Sequence, residues 1–314
     1  MSAEQLSAEI NPSAFYDDAG HQPTVKLHGA VRVSGEKKPV EWTAEFPEVI
    51  TYEGLTLLIP GFGGIKRSSR DERHANAVQG RPTISYDPAR ISGSIRENLF
   101  NSQDLHTRTA EEVLYAVQER ISSDRSIPSP GKLDVDRVVL SAHSMGGFAA
   151  TELGLKHPGL TESVIYKGAA GFWPLSLRDM KPLVLLQEIN AYVASGRIEP
   201  SIRNLYRIAR YYSRDLSRTT GEAATCLTQD ISARIEKLGE RTTTAYLGFE
   251  NDPLVPVDKA QQIARPLVNR FVILGGVGHL APQLYPEDTA WATWDLQQSM
   301  QATQRPALHV VGSK

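Results

Sequence analysis

An α/β fold, in which helices flank a mostly parallel sheet, is what this 314-residue sequence predicts. Three observations point there. Short aliphatic and β-branched runs alternate with amphipathic segments along most of the chain. Two of those runs, Leu55–Ile59 and Val138–Leu140, have the near-continuous apolar character of strands buried on both faces. The second run passes through one tight turn, Ser141-Ala142-His143-Ser144-Met145-Gly146-Gly147, directly into a helix.

In chain order, residues 1–22 form a polar, loosely ordered lead-in. Apolar and polar residues roughly alternate over Thr24–Val33, which predicts a strand, and Trp42–Phe46 predicts a second. Leu55–Ile59 is a buried strand that breaks at Pro60-Gly61-Phe62-Gly63-Gly64. A polar helix over Ser68–Gln79 and a strand over Pro82–Tyr86 follow. Val113, Leu114, Val117 and Ile121 recur at helical spacing and predict an amphipathic helix over Thr109–Ile121. After the strand and helix around Ser144, Ser163–Tyr166 is another strand. Residues 172–240 interrupt this rhythm with helical segments and no convincing strand, as an insertion at one sheet edge does. Alternation resumes with the strand Thr244–Gly248, the helix Lys259–Ala264, the strand Arg270–Leu274 and the helix Asp288–Thr303. The division that follows is a core of residues 23–171 and 241–305, a helical lid of 172–240 and a tail of 306–314.

Ser144 stands at the apex of the turn, with Ala142 two residues before it and Gly146 two after. A serine on a sharp strand-to-helix bend pushes its hydroxyl out of the fold, and the tight backbone leaves no room for large neighbours. This small-x-Ser-x-Gly pattern is a nucleophile elbow. The following helix directs its amides to the place where an oxyanion would form.

Such a serine needs a base. Among eight histidines, His28, His74 and His106 precede the elbow, and His157 lies in a helix stop, His157-Pro158-Gly159. His21 and His309 lie in the terminal segments, and His143 is directed away from the proton of its neighbour Ser144. His279 follows the strand Phe271–Leu274 in the loop Gly275-Gly276-Val277-Gly278-His279, at the strand end where chemistry collects in open α/β sheets. The orienting acid is expected after the preceding strand. Asp252 opens the turn Asp252-Pro253-Leu254-Val255-Pro256, with Glu250 and Asp258 as rivals, and a turn or helix cap is its alternative role. Residues 167–173, the other common site for this acid, contain none. Backbone N–H groups of Phe62 and Met145 are the expected oxyanion donors, with Gly61, Gly63 and Gly146 supporting their loops.

Together these segments resemble the lidded branch of the α/β-hydrolase superfamily, over roughly residues 24 to 305. The residues that carry the resemblance are Pro60–Gly64, Ser141–Gly147, Asp252–Pro256 and Gly278-His279. It implies an eight-stranded, mostly parallel sheet, a helical lid after the sixth strand, and hydrolysis through an acyl-serine with Ser144, His279 and Asp252 as the triad. Pro60 replaces the family's usual His before the oxyanion glycine, Ala142 replaces the commoner Gly, and Asp252 stands four residues after Gly248 where three is usual.

Composition narrows the partners. A net charge of −2, with 40% hydrophobic and 22% charged residues, gives no pull toward nucleic acid or an anionic membrane. A single cysteine, Cys226, makes no internal disulfide, and no Cys/His cluster points to zinc. No apolar stretch is long enough to cross a membrane, and the polar start is unlike a signal peptide, so a cytoplasmic location is expected. The expectation is therefore a serine hydrolase of a small carboxylic ester or related acyl substrate, with neither metal nor cofactor. Carbon–carbon bond hydrolases, thioesterases, amidases, acyltransferases and cofactor-free haloperoxidases share its apparatus, and a non-catalytic ligand-binding protein is the alternative from another class. The oligomeric state does not follow from the sequence. Phe172, Trp173 and Leu280 are candidates for the substrate pocket. Arg203, Arg207, Arg210, Arg214 and Arg218 make a stripe along one helical face, read as solvated lid surface or as an attractor for anionic substrate or lipid.

Overall fold

The computed structural model describes residues 24–34, 39–61, 69–87, 95–123, 127, 133–175, 190, 193–194 and 224–304. Eight strands form one sheet in the order β1-β2-β4-β3-β5-β6-β7-β8. They are β1 (Thr24–Val31), β2 (Val40–Pro47), β3 (Leu55–Ile59), β4 (Thr83–Tyr86), β5 (Val138–His143), β6 (Thr161–Lys167), β7 (Thr243–Phe249) and β8 (Arg270–Leu274). β1 and β2 pair antiparallel, as do β2 and β4, and every other pairing is parallel. The eight-stranded, mostly parallel sheet expected from the resemblance is therefore present.

Burial explains the central strands. Every residue of β3, β4 and β5 is buried; in β3 and in Val138–Leu140 apolar side chains on both faces outweigh alternation, whereas β4 alternates Thr83 and Ser85 with Ile84 and Tyr86. The two faces separate cleanly. Val138, Leu140, Ala142, Val164, Tyr166 and Tyr246 belong to one core cluster. Val139, Ile165, Ala245, Leu247 and Phe249 belong to the other. Helix α2 (Ile95–Ser123) covers the first face through Val113, Leu114, Val117 and Ile121, all buried at the predicted spacing. It begins well before the expected Thr109, where the polar run Asn101-Ser102-Gln103-Asp104 hid the helix. Helix α3 (Gly146–Lys156) lies on the same face. The C-terminal helix Pro286–Gln304 covers the second face through Ala292, Leu296 and Met300, and packs beside α1 (Arg70–Val78).

The excursion after β6 has closed ends. Leu175 N donates to Cys226 O at 3.0 Å, and Ile231 N donates to Gly171 O at 2.7 Å. The chain between them thus leaves and returns at one place beside the C-terminal ends of the strands. The helix Ser232–Gly239, expected within the lid, instead packs on α3 with Ile235 and Leu238 fully enclosed. That apolar pair supplies a stripe facing the core. The remainder of the expected lid, the arginine stripe included, lies outside the described residues apart from 172–175, 190, 193–194 and 224–231.

Candidate active site

Parallel register brings the ends of five strands to one edge. Ile59 pairs with Ala142, His143 with Lys167, Lys167 with Leu247, and Phe249 with Leu274. The loops carrying Gly61, Ser144, Gly168, Asp252 and His279 therefore emerge together.

Ser144 adopts φ 52, the only positive value for a non-glycine among the described residues. A side chain in this left-handed region costs about 1–2 kcal/mol, and such strain persists only where surroundings over-determine it. Here they do. Ser144 N donates to Lys167 O at 3.0 Å, and Ser144 O accepts from Gly147 N and Ala170 N, each at 3.1 Å. The demand for small neighbours is equally local: a Cβ on Gly146 would lie 2.6 Å from Ile59 O, and one on Gly61 would lie 2.6 Å from Ser144 Cβ.

His279 connects the serine to an acid. Its Nδ1 lies 2.8 Å from Asp252 Oδ2 and its Nε2 lies 2.9 Å from Ser144 Oγ. A carboxylate only accepts, so Nδ1 carries the proton and Nε2 faces the serine hydroxyl with its lone pair. All three groups are buried, with relative exposures of 8% for Ser144, 5% for Asp252 and 4% for His279. Asp252 also fills its alternative role, because Oδ1 accepts from Leu254 N and Val255 N, each at 2.8 Å. One oxygen caps the turn while the other meets the imidazole. The rivals lie elsewhere: Glu250 Oε2 accepts from Gly276 N at 2.7 Å, and Asp258 is exposed in the first turn of the helix Val257–Ile263. The extra residue between Gly248 and Asp252 is absorbed in the turn in which Asp252 N donates to Phe249 O at 3.1 Å.

Of the expected oxyanion donors, Met145 is the N-cap of α3, where backbone N–H groups have no carbonyl in the preceding turn to bond. Phe62 and Gly63 lie outside the described residues. Among the pocket candidates, Phe172 is enclosed in the core, its ring edge-on to Tyr166 and Tyr246 at 5.1 Å from each. Trp173 lies beneath the Lys259 ammonium, 5.2 Å from the ring centroid, and Leu280 is half-buried next to His279. Four histidines set aside in the sequence have other places. His28 bonds Thr43, His74 bonds Glu45, His157 bonds Glu111, and His106 is buried in α2.

Two further buried groups stand beside Ser144, His279 and Asp252: His143, set aside as a base in the sequence, and Lys167, which sequence reasoning did not single out. His143 Nε2 lies 2.8 Å from the backbone oxygen of His279. Burial, reinforced by the neighbouring charges of His279 and Lys167, holds its pKa well below 6.5. Lys167 reaches under the elbow to Glu72 of α1, an ion pair almost wholly enclosed. The available signal was a histidine and a lysine at the ends of otherwise apolar central strands, where burial obliges each to find a partner. Among the described residues no group of His, Cys, Asp and Glu gathers as a metal site. No described helix is long and apolar enough to cross a membrane.

Residues 27–292 match the Alpha/beta hydrolase family, and the chain belongs to it. Solved structures agree on the fold. A bromoperoxidase from Bacillus anthracis superimposes with a TM-score of 0.58 at 15% identity, over 87% of this chain and 100% of that one. A thermophilic esterase from Thermogutta terrifontis gives 0.55 at 15% identity, over 87% and 98% of the two chains. An epoxide hydrolase variant from Vigna radiata gives 0.54 at 14%, over 87% and 99%. No curated protein sequence matches significantly.

Proposed function

We propose that this protein is a serine hydrolase of a carboxylic ester, or a related acyl substrate, working through an acyl-serine intermediate. One observation carries the reading: the unbroken line from Ser144 Oγ through His279 to Asp252 Oδ2, with links of 2.9 and 2.8 Å, at a strained elbow. Ser144 attacks the acyl carbon as His279 Nε2 takes the hydroxyl proton. Asp252 stabilises the imidazolium that forms and keeps its orientation. The N–H groups of Met145 and Phe62 hold the oxyanion, a contribution worth roughly 10²–10³ in turnover per donor in comparable sites. His279 then passes its proton to the leaving alcohol and activates water against the acyl-enzyme.

Trp173 and Leu280 line the substrate pocket in this reading, and the excursion after β6 forms its lid. The paired ends at Leu175–Cys226 and Gly171–Ile231 support that arrangement, since they open beside Ser144. A serine at the elbow favours acyl transfer over chemistry that begins with an aspartate nucleophile. The substrate is a small molecule.

The test is intact mass after treatment with a fluorophosphonate, followed by hydrolysis of p-nitrophenyl esters of increasing chain length. One adduct on the parent, none on Ser144→Ala and a slow reaction of His279→Ala are expected. A well-folded parent without adduct contradicts the proposal and favours a ligand-binding protein on this scaffold.

A further inference from the structure

The residue before the nucleophile has a place in the triad geometry that its sequence position alone does not suggest. His143 ends β5 on the face opposite α3, in register with Lys167 and 7% exposed. Its ring centroid lies 4.9 Å from that of His279 and 6.4 Å from that of Phe249. Nε2 lies 2.8 Å from His279 O. A carbonyl oxygen only accepts, so this nitrogen carries the proton and Nδ1 keeps the lone pair. The Nδ1 side faces Gly61, where an added Cβ would lie 3.2 Å from the nitrogen. The imidazole is thus wedged between the end of β3 and the histidine loop.

We propose that His143 is a positioning residue: its Nε2–H holds the backbone of His279, keeping that imidazole between Ser144 and Asp252. This rests on the hydrolase reading above. The histidine loop needs such a hold, because Gly275 and Gly276 precede it and Gly276 has φ 72. Another tether, Asn251 N to Val277 O at 2.9 Å, stops two residues short of His279. The His143 bond instead reaches the carbonyl of His279 itself. Neutrality suits the role. A second cation 4.9 Å from His279 would oppose the imidazolium that forms when Ser144 is deprotonated. Burial and the Lys167 ammonium, itself paired with Glu72, keep His143 uncharged.

The experiment compares the fluorophosphonate inactivation rate, and kcat and KM on a p-nitrophenyl ester, for the parent and three variants. His143→Phe keeps the ring and removes the donor. His143→Gln returns an N–H at the reach of Nε2, whereas the amide of His143→Asn is too short. Phe and Asn are expected to lower the inactivation rate and kcat roughly tenfold, about 1.4 kcal/mol of barrier, with KM unchanged. Gln is expected within about threefold of the parent, since a restored bond recovers most of a hydrogen bond's net worth. A Phe variant that reacts at the parent rate overturns the proposal while leaving the hydrolase reading intact. Equal losses in all three variants, tracking a fall in Tm, also overturn it, because packing alone would then explain them. A parent that forms no adduct overturns both readings.

Discussion

Gly168 lies directly against the carboxylate of Asp252: a Cβ there would stand 2.9 Å from Oδ2, the oxygen that meets His279. The same atom would lie 2.9 Å from two carbons of the Phe249 ring, and the backbone is held at φ 48. Gly168→Ala therefore adds local strain of about 1–2 kcal/mol and pushes the acid from its hydrogen bond. The expected result is a lower Tm together with roughly a tenfold loss of kcat, the equivalent of about 1.4 kcal/mol. Parent-like kcat with a lowered Tm would show that Asp252 tolerates the intrusion.

Asp252→Asn separates the two roles of one side chain. The amide oxygen can still accept from Leu254 N and Val255 N, so the turn is kept. The amide nitrogen takes the place of Oδ2 and cannot accept the proton on His279 Nδ1. A loss of kcat on the order of 10⁴, as where a triad imidazole is forced into the wrong tautomer, is expected with a near-parent melting curve. Asp252→Ala loses the cap as well, at about 1 kcal/mol for each hydrogen bond, and melts lower. Equal Tm values for Asn and Ala would argue against the capping role.

The sequence carried those residues whose signal is local. The bounds of β3 and β8 coincide with the apolar runs Leu55–Ile59 and Arg270–Leu274, because each run is limited by turn residues. Ser144 was legible from the small residues its strained bend requires, and His279 from a glycine loop after a strand. Asp252 ranks above Glu250 and Asp258 but is not separable from a cap, since its two oxygens meet the turn N–H groups and the His279 ring respectively. What stayed hidden depends on partners distant in the chain. His143 meets the backbone of a residue 136 positions away, and Lys167 meets Glu72 across 95. The aromatic character of Phe172 makes it a pocket candidate, and its edge-on contacts with Tyr166 and Tyr246 depend on strands distant in the chain. The contacts of the helix Ser232–Gly239 with α3 through Ile235 and Leu238 are likewise invisible in its own residues.

Protonation of His143 links pH to stability. Its pKa in the folded chain is held well below 6.5, by burial first and then by His279 and Lys167. Below pH 6.5 the unfolded chain binds a proton here that the folded chain does not. Stability from this group is therefore full above that pH and declines as the pH falls below it, by up to about 1.4 kcal/mol per pH unit. Thermal melts of the parent and His143→Phe between pH 8 and pH 5 isolate the effect. The parent should lose Tm more steeply than the variant below about pH 6.5, and parallel curves would show that the ring is not held neutral.

The backbone at Ser144 predicts a difference between two inactive variants. Ser144→Ala and Ser144→Gly both delete the hydroxyl and its bond to His279 Nε2, so that loss cancels in their comparison. They differ in the Cβ at φ 52. Keeping that Cβ costs about 1–2 kcal/mol in the left-handed region. Removing it frees the unfolded chain, a loss of about 0.4–1 kcal/mol. The first effect is the larger, so Ser144→Gly should be the more stable of the pair by a few tenths to about 1 kcal/mol. Denaturant melts at equal m-value provide the measurement. If Ser144→Ala proves the more stable, the elbow relaxes once the hydroxyl is gone. The positive φ then belongs to the hydrogen bond with His279, not to the turn formed by Lys167 O, Gly147 N and Ala170 N.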